Sequence, residues 1–231
     1  LFRSEREEKV TLYRKHPLMG WIGIYLDEIC GGRFDFSDME DFRHLKYTYQ
    51  VPDTPRICYN EVALPQQLQC RYVRYKAMEW KNTNIGELLF WGGKTRYYPE
   101  TVKGAPAENP VNVQERMFDD DPLTYYSTRL PGATLLMDFG KQVEMDRFIF
   151  IPRNDDNFIR IGDTYELYYH DGRNGWVSLG RKTASAPELV YDNMPRGALF
   201  HLRCLTRGEE EQVFHIKDGK QVFISNLSYI R

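Results

Sequence analysis

Tyr165-Glu-Leu-Tyr-Tyr-His170, Asp171-Gly-Arg-Asn-Gly175 and Trp176-Val-Ser-Leu-Gly180 follow one another without a break. The outer runs are rich in residues that suit a pleated sheet. The segment between them holds Asp171-Gly172 and Asn174-Gly175, dipeptides that readily take the backbone of a tight hairpin turn. The stretch reads as a β-hairpin, and the same pattern extends in both directions. Upstream, Arg71–Lys76, Ile85–Trp91, Thr134–Phe139 and Val143–Ile151 read as strands. Downstream, Glu188–Tyr191, Leu199–Leu205, Gln212–Ile216 and Gln221–Ile224 do the same, with Asp218-Gly219 as a further hairpin turn. Short strands separated by Gly, Pro, Asn and Asp clusters predict an all-β chain, a sandwich or a barrel. Leu18–Cys30 alone reads differently. Leu18, Trp21, Ile22, Tyr25, Leu26 and Ile29 recur at helical spacing, and Gly31-Gly32 offers a left-handed stop.

Composition narrows the function. Lys plus Arg total 31 against 33 for Asp plus Glu, a net charge of −2. A nucleic-acid binder would gather a basic surplus, so this class is disfavoured. No apolar run approaches the ~20 residues of a membrane-spanning helix. Aromatic residues make up 14% of the chain, which suits sheet faces and flat ligand surfaces. Residue 1 is Leu and the first nine residues form a charged segment, so no secretory leader is legible and a processed chain or a fragment is expected. Cys30, Cys58, Cys70 and Cys204 lack zinc-site spacing. They read as buried free thiols, with a Cys58–Cys70 disulfide as the alternative in an oxidising compartment.

A domain boundary is expected near Gly92-Gly93, dividing the chain into residues 1–93 and 94–231. Through residue 93 there are 13 basic and 13 acidic residues, and beyond it 18 and 20, so neither part is a charged tail. A weak internal repeat supports two related domains. Arg71-Tyr-Val-Arg74-Tyr75 precedes Glu87-Leu-Leu-Phe90, and Leu199-Phe-His-Leu-Arg203 precedes Glu211-Gln-Val-Phe214.

Several motifs together resemble one family. Asn84-Ile-Gly-Glu87-Leu-Leu-Phe90-Trp-Gly is similar to a closing strand of discoidin-type (coagulation factor 5/8 type C) galactose-binding-like domains. Met117-Phe-Asp119-Asp-Asp121-Pro-Leu-Thr124-Tyr-Tyr resembles the family's D-G-D-x-x-T-x-W loop. Leu136-Met-Asp138-Phe-Gly140 and Val143–Arg153 resemble the strands that follow, and Tyr165–Trp176 the Y-E-V-x-x-S-x-D-G-x-x-W hairpin. Asp120 stands where the family has Gly, and Tyr126 where it has Trp. The style is similar to modules in secreted proteins of gut Bacteroidetes. The resemblance implies tandem β-sandwiches, the second a discoidin-like jelly roll, that bind carbohydrate and hold structural calcium. It also implies an extracellular, periplasmic or cell-surface location.

Two constellations follow. Asp119, Asp121 and Thr124 crowd hard oxygens into one short loop, as calcium requires, and the resemblance assigns Glu211 the completing carboxylate. Two other readings of that loop stay open, an ion-pair network with Arg203 or Arg153, and a solvated turn capped by Asp121. The second constellation is the sugar site. Arg153, Asn154, Asn157 and Phe158 offer bidentate hydrogen bonding beside an aromatic ring, with Tyr126 or Arg129 approaching from the acidic loop. Trp80 lies in the polar stretch Met78–Asn84 and is the tryptophan expected at the surface, whereas Trp176 reads as core. No metalloprotease, nucleophile-elbow, phosphate-loop or dinucleotide motif occurs. The chain is therefore read as a non-catalytic module that binds glycans, with an adjacent catalytic domain as partner. The alternative is a protein-binding module or a purely structural spacer attached to an enzyme.

Overall fold

The computed structural model describes residues 6–18, 20–208 and 212–224. In chain order the first elements are β1 (Arg6–Leu12), helix α1 (Trp21–Ile29), β2 (Arg33–Ser37), β3 (Tyr47–Gln50), β4 (Asn60–Lys76), β5 (Thr83–Gly92), β6 (Thr95–Tyr97) and β7 (Thr101–Gly104). A 3-10 turn at Gln114–Phe118 precedes β8 (Tyr126–Thr128), β9 (Thr134–Pro152), β10 (Thr164–His170) and β11 (Trp176–Thr183). β12 (Leu189–Pro195), β13 (Phe200–Cys204), β14 (Val213–Lys217) and β15 (Lys220–Phe223) complete the series. The chain is mainly β, with antiparallel sheets and one short helix near the N-terminus, as its sequence predicts.

The helix is shorter than its apolar stripe. Leu26 and Ile29 are buried, while Trp21 is 70% exposed. Gly31 takes φ +76, ending the helix in the left-handed region that favours glycine. Gly32 is required by space, because a Cβ there would lie 2.6 Å from the Tyr75 hydroxyl.

The chain divides into two compact units, but not at Gly93. The larger unit is Met19–Asp156. The smaller joins the described residues up to Leu18 with those from Asn157 onward. Gly93 instead lies at the turn between β5 and β6, which pair in one sheet. β5 also pairs with β9, from the far side of the expected boundary. The expected division into 1–93 and 94–231 thus cuts through hydrogen-bonded neighbours, and residues 94–231 are themselves divided between both units.

In the larger unit the strand order is β3-β2-β4-β9-β5-β6, with β7 on β9 and β8 on β5. β9 pairs with β4 along almost its whole length and binds β5 with its second half. Phe34, Phe36, Tyr75, Phe90, Phe148 and Phe150 fill the core, with the Phe148 ring 5.0 Å from Phe34 and 5.5 Å from Phe36. β2 buries Asp35 as well as its apolar residues. Arg33 and Arg74 both reach that carboxylate, at 3.0 and 2.6 Å, and Thr48 donates to it at 2.9 Å. A buried charge held this way avoids the cost of standing alone.

In the smaller unit the order β11-β10-β13-β14-β15 forms one sheet, and β1 pairs with β12. Val10 and Leu12 of β1 share a core with Tyr165, Leu167, Tyr191, Met194, Phe200 and Phe214. The hairpin predicted over Tyr165–Gly180 is β10–β11, its loop held by the Asp171 carboxylate, which accepts from Arg173 N and Asn174 N at 2.8 and 2.6 Å. Asp218 and Gly219 turn β14 into β15 with φ of +51 and +71, the geometry of a tight hairpin. All four cysteines are buried and free.

Candidate functional site

The acidic loop follows the 3-10 turn directly. Asp119 accepts from Arg116 Nη1 at 3.1 Å and from Asp121 N at 3.1 Å, and its two oxygens lie 2.9 and 3.0 Å from Thr124 Oγ1. Asp121 accepts from Leu123 N at 3.0 Å. Asp120, at φ +61, turns the other way and meets Arg96 Nη2 at 3.3 Å and the Tyr98 hydroxyl at 2.8 Å.

Glu87 of β5 approaches this loop from below. It is 1% exposed, and neither of its oxygens has a hydrogen-bond donor among the described residues. Arg96 Nη2 stops 4.0 Å away, and Arg96 Nε and Nη1 are buried without partners among those residues. Burial, and then the neighbouring Asp119 carboxylate, push the Glu87 carboxyl up to about 8, so at neutral pH it is largely protonated. Partial burial works to raise Asp119 as well. Hydrogen bonds from Glu87, Thr124 and Arg116 outweigh that and hold it below the usual carboxylate range. Of this pair Glu87 thus keeps the proton and Asp119 the charge. Glu211 lies outside the described residues. Among the described residues no three His, Cys, Asp or Glu side chains gather as a metal-binding group. The carboxylate pair is thus the most that side chains of these types bring to an ion here.

The expected sugar loop is built differently from its sequence reading. Asn154 is buried, donating to Pro122 O at 2.7 Å and accepting from Asp156 N at 2.9 Å. Asn157 is fully buried in the other unit. Its Oδ1 accepts from Lys15 N and His16 N at 3.0 and 2.7 Å, and its Nδ2 donates to His16 O at 3.0 Å. Phe158 is buried, and so is Tyr126, whose hydroxyl donates to Ala105 O at 2.8 Å. These four residues hold loops and cores rather than ligand. Arg153 is packed between the rings of Tyr25 and Tyr125, 3.5 and 4.0 Å from their centroids, and pairs with Asp155 at 2.9 Å. Arg129 is exposed and paired with Glu108 at 2.9 Å. Four of the six are thus spent on the fold itself, because a loop asparagine is as apt to satisfy buried backbone as to meet a sugar.

A concavity lies elsewhere in the larger unit. Arg33, Gln50, Lys76, Met78, Glu79 and Trp80 line a cleft of about 280 Å³. The turn that carries Trp80 is tightly held. Ala77 N donates to Ala133 O at 2.9 Å, Gly132 N to Lys81 O at 3.1 Å and Lys81 N to Met78 O at 3.0 Å. Lys81 Nζ also donates to Asp27 O at 2.8 Å at the end of α1. On this fixed support the Trp80 ring is 70% exposed. The side chains of Gln50, Lys76 and Glu79 make no hydrogen bond or ion pair among the described residues, which leaves their polar ends unengaged at the cleft. The polar setting of Trp80 was legible in sequence. Arg33, Gln50 and Lys76 were not, since only strand register brings these isolated polar residues together. Trp176, read as core, is instead 41% exposed, with its ring 4.4 Å from His201 and 5.3 Å from His170.

Compared with known protein families, with curated proteins and with solved structures, the chain finds no match in any of the three.

Proposed function

We propose that this chain is a non-catalytic carbohydrate-binding module that holds a larger secreted or cell-surface protein on glycans. Its larger unit is a discoidin-like jelly-roll sandwich in this reading. The observation that carries the proposal is the Trp80 cleft, where an exposed indole on a rigid turn stands beside an amide, a guanidinium, an ammonium and a carboxylate. A pyranose needs these two features together: a flat apolar surface for its C–H face, and directional donors and acceptors for its hydroxyls. Shallow sites of this kind bind a single sugar with Kd on the order of 0.1–1 mM, roughly 4–5.5 kcal/mol. Tethering converts such weak contact into a useful local concentration of the attached domain.

Structural calcium belongs to the same proposal. Glu87 takes the role expected of Glu211, and with Asp119 and the Thr124 hydroxyl it presents hard oxygens that backbone carbonyls and water would complete. The buried, donor-free oxygens of Glu87 are the feature that fits an ion.

A glycan array probed with the intact chain tests the function. Trp80→Ala should remove about 2 kcal/mol of stacking and burial and so erase measurable binding. The melting temperature should hardly move, because the ring is at the surface. A chain that binds no glycan, or whose glycan binding survives Trp80→Ala, overturns the assignment of this cleft.

A further inference from the structure

Gln50, Arg33 and Lys76 stand at one register on the adjacent strands β3, β2 and β4. Residues directly opposed on antiparallel strands carry Cβ atoms about 5 Å apart, and like charges set so are unfavourable unless something answers them. Asp35 answers only part of this charge. Its single carboxylate takes both Arg33, at Nε 3.0 Å, and Arg74, at Nη2 2.6 Å. Lys76 has no ion-pair or hydrogen-bond partner among the described residues, and Glu79 across the cleft does not reach it. Arg33, Arg74 and Lys76 thus share one face of β2 and β4 with the single carboxylate of Asp35, and the Lys76 charge stands unanswered at the wall of the cleft.

We infer that the ligand of this cleft is an anionic saccharide, a pyranose bearing a carboxylate or sulfate group. The sugar ring lies on Trp80 and its anionic group meets Lys76 and the Nη1 edge of Arg33, which Asp35 leaves free. An anion there relieves the opposition between Arg33 and Lys76 instead of adding to it. The inference rests on the reading of the Trp80 cleft as a saccharide site and narrows it to a charge class.

The test is titration calorimetry of the intact chain with matched sugars: glucose, glucuronate and glucose 6-sulfate, and the galactose set alongside. At about 0.1 M ionic strength at least one anionic form should bind about tenfold more tightly than its neutral parent. The margin should shrink towards unity at about 1 M salt, where the screening length falls to roughly 3 Å. Lys76→Gln should bring the anionic and neutral forms to equal affinity, and Glu79→Gln should widen the margin. The carboxylate and sulfate arms show which anion is preferred. Equal affinity for neutral and anionic sugars, or a margin that survives Lys76→Gln, overturns the inference while Trp80-dependent sugar binding keeps the functional reading. Absence of binding to every sugar overturns both.

Discussion

Glu87 is the residue whose chemistry departs furthest from its behaviour in water. Burial removes its hydration, Asp119 beside it disfavours a second negative charge, and Arg96 at 4.0 Å offsets only part of this. The folded chain keeps a proton that the unfolded chain has released, between about 4.5 and about 8. A pKa raised by folding contributes stability that is complete below the lower value and is lost as pH rises through the upper one. In EDTA, the melting temperature of the larger unit should therefore fall by several degrees from pH 5 to pH 8.5. Glu87→Gln, which stays neutral, should flatten that decline. Calcium added at pH 8.5 should restore the wild-type melting temperature and do nothing for Glu87→Gln. A wild-type melt indifferent to both calcium and EDTA would leave the pair as a protonated acid beside a carboxylate and remove the ion from the proposal.

At the scale of elements, the same amide that looked like a sugar ligand fastens the exit of β1. Asn157 accepts from two backbone N–H groups, of Lys15 and His16, and returns a hydrogen bond to His16 O. Asn157→Ala removes all three and should cost about 2–3 kcal/mol. In a thermal melt this lowers the transition of the smaller unit, while the folded variant keeps wild-type glycan affinity. Loss of binding without loss of stability would return Asn157 to the ligand. Strands with strong alternation and explicit turns, such as β10, β11, β14 and β15, were legible in sequence because their neighbours are local. β2 and β3 were not. β2 buries Asp35 inside an ion-pair cluster, so its pattern does not alternate, and β3 is only half buried along one edge. β9 read as two strands because Gly140 interrupts it. The backbone there takes φ +71, yet pairing with β4 resumes on either side. The acidic loop was legible as chemistry, since three adjacent carboxylates need an explanation. Its buried partner Glu87 sat in a motif noticed for other reasons. The cleft was hidden because Gln50, Arg33 and Lys76 meet only through the register of three strands.

At the scale of the whole molecule, the boundaries at 18/19 and 156/157 make a sharp claim about what folds alone. Residues 19–156 contain every strand of their sheet and the whole aromatic core around Phe148. Expressed alone, they should give dispersed amide signals and one cooperative melt. Residues 94–231 keep β9 but lose β4 and β5, the strands paired to it on both sides. Phe148, Phe150 and Met145 would then lose the partners that bury them, and an unpaired apolar strand edge invites aggregation. That fragment should be insoluble or molten. The sequence favoured it because Gly92-Gly93 looks like a domain end, but paired glycines serve a tight strand-to-strand turn equally well. Residues 157–231 pose the complementary case. Without β1 they leave Leu189, Tyr191 and Met194 of β12 without Val10 and Leu12, which share their core. A synthetic peptide of residues 1–18 added in trans should raise the melting temperature of that fragment, increasing with the logarithm of peptide concentration once it exceeds Kd, as mass action requires. A fragment 157–231 that melts cooperatively and ignores the peptide would show that β1 is dispensable. A well-folded 94–231 would restore the boundary at Gly93.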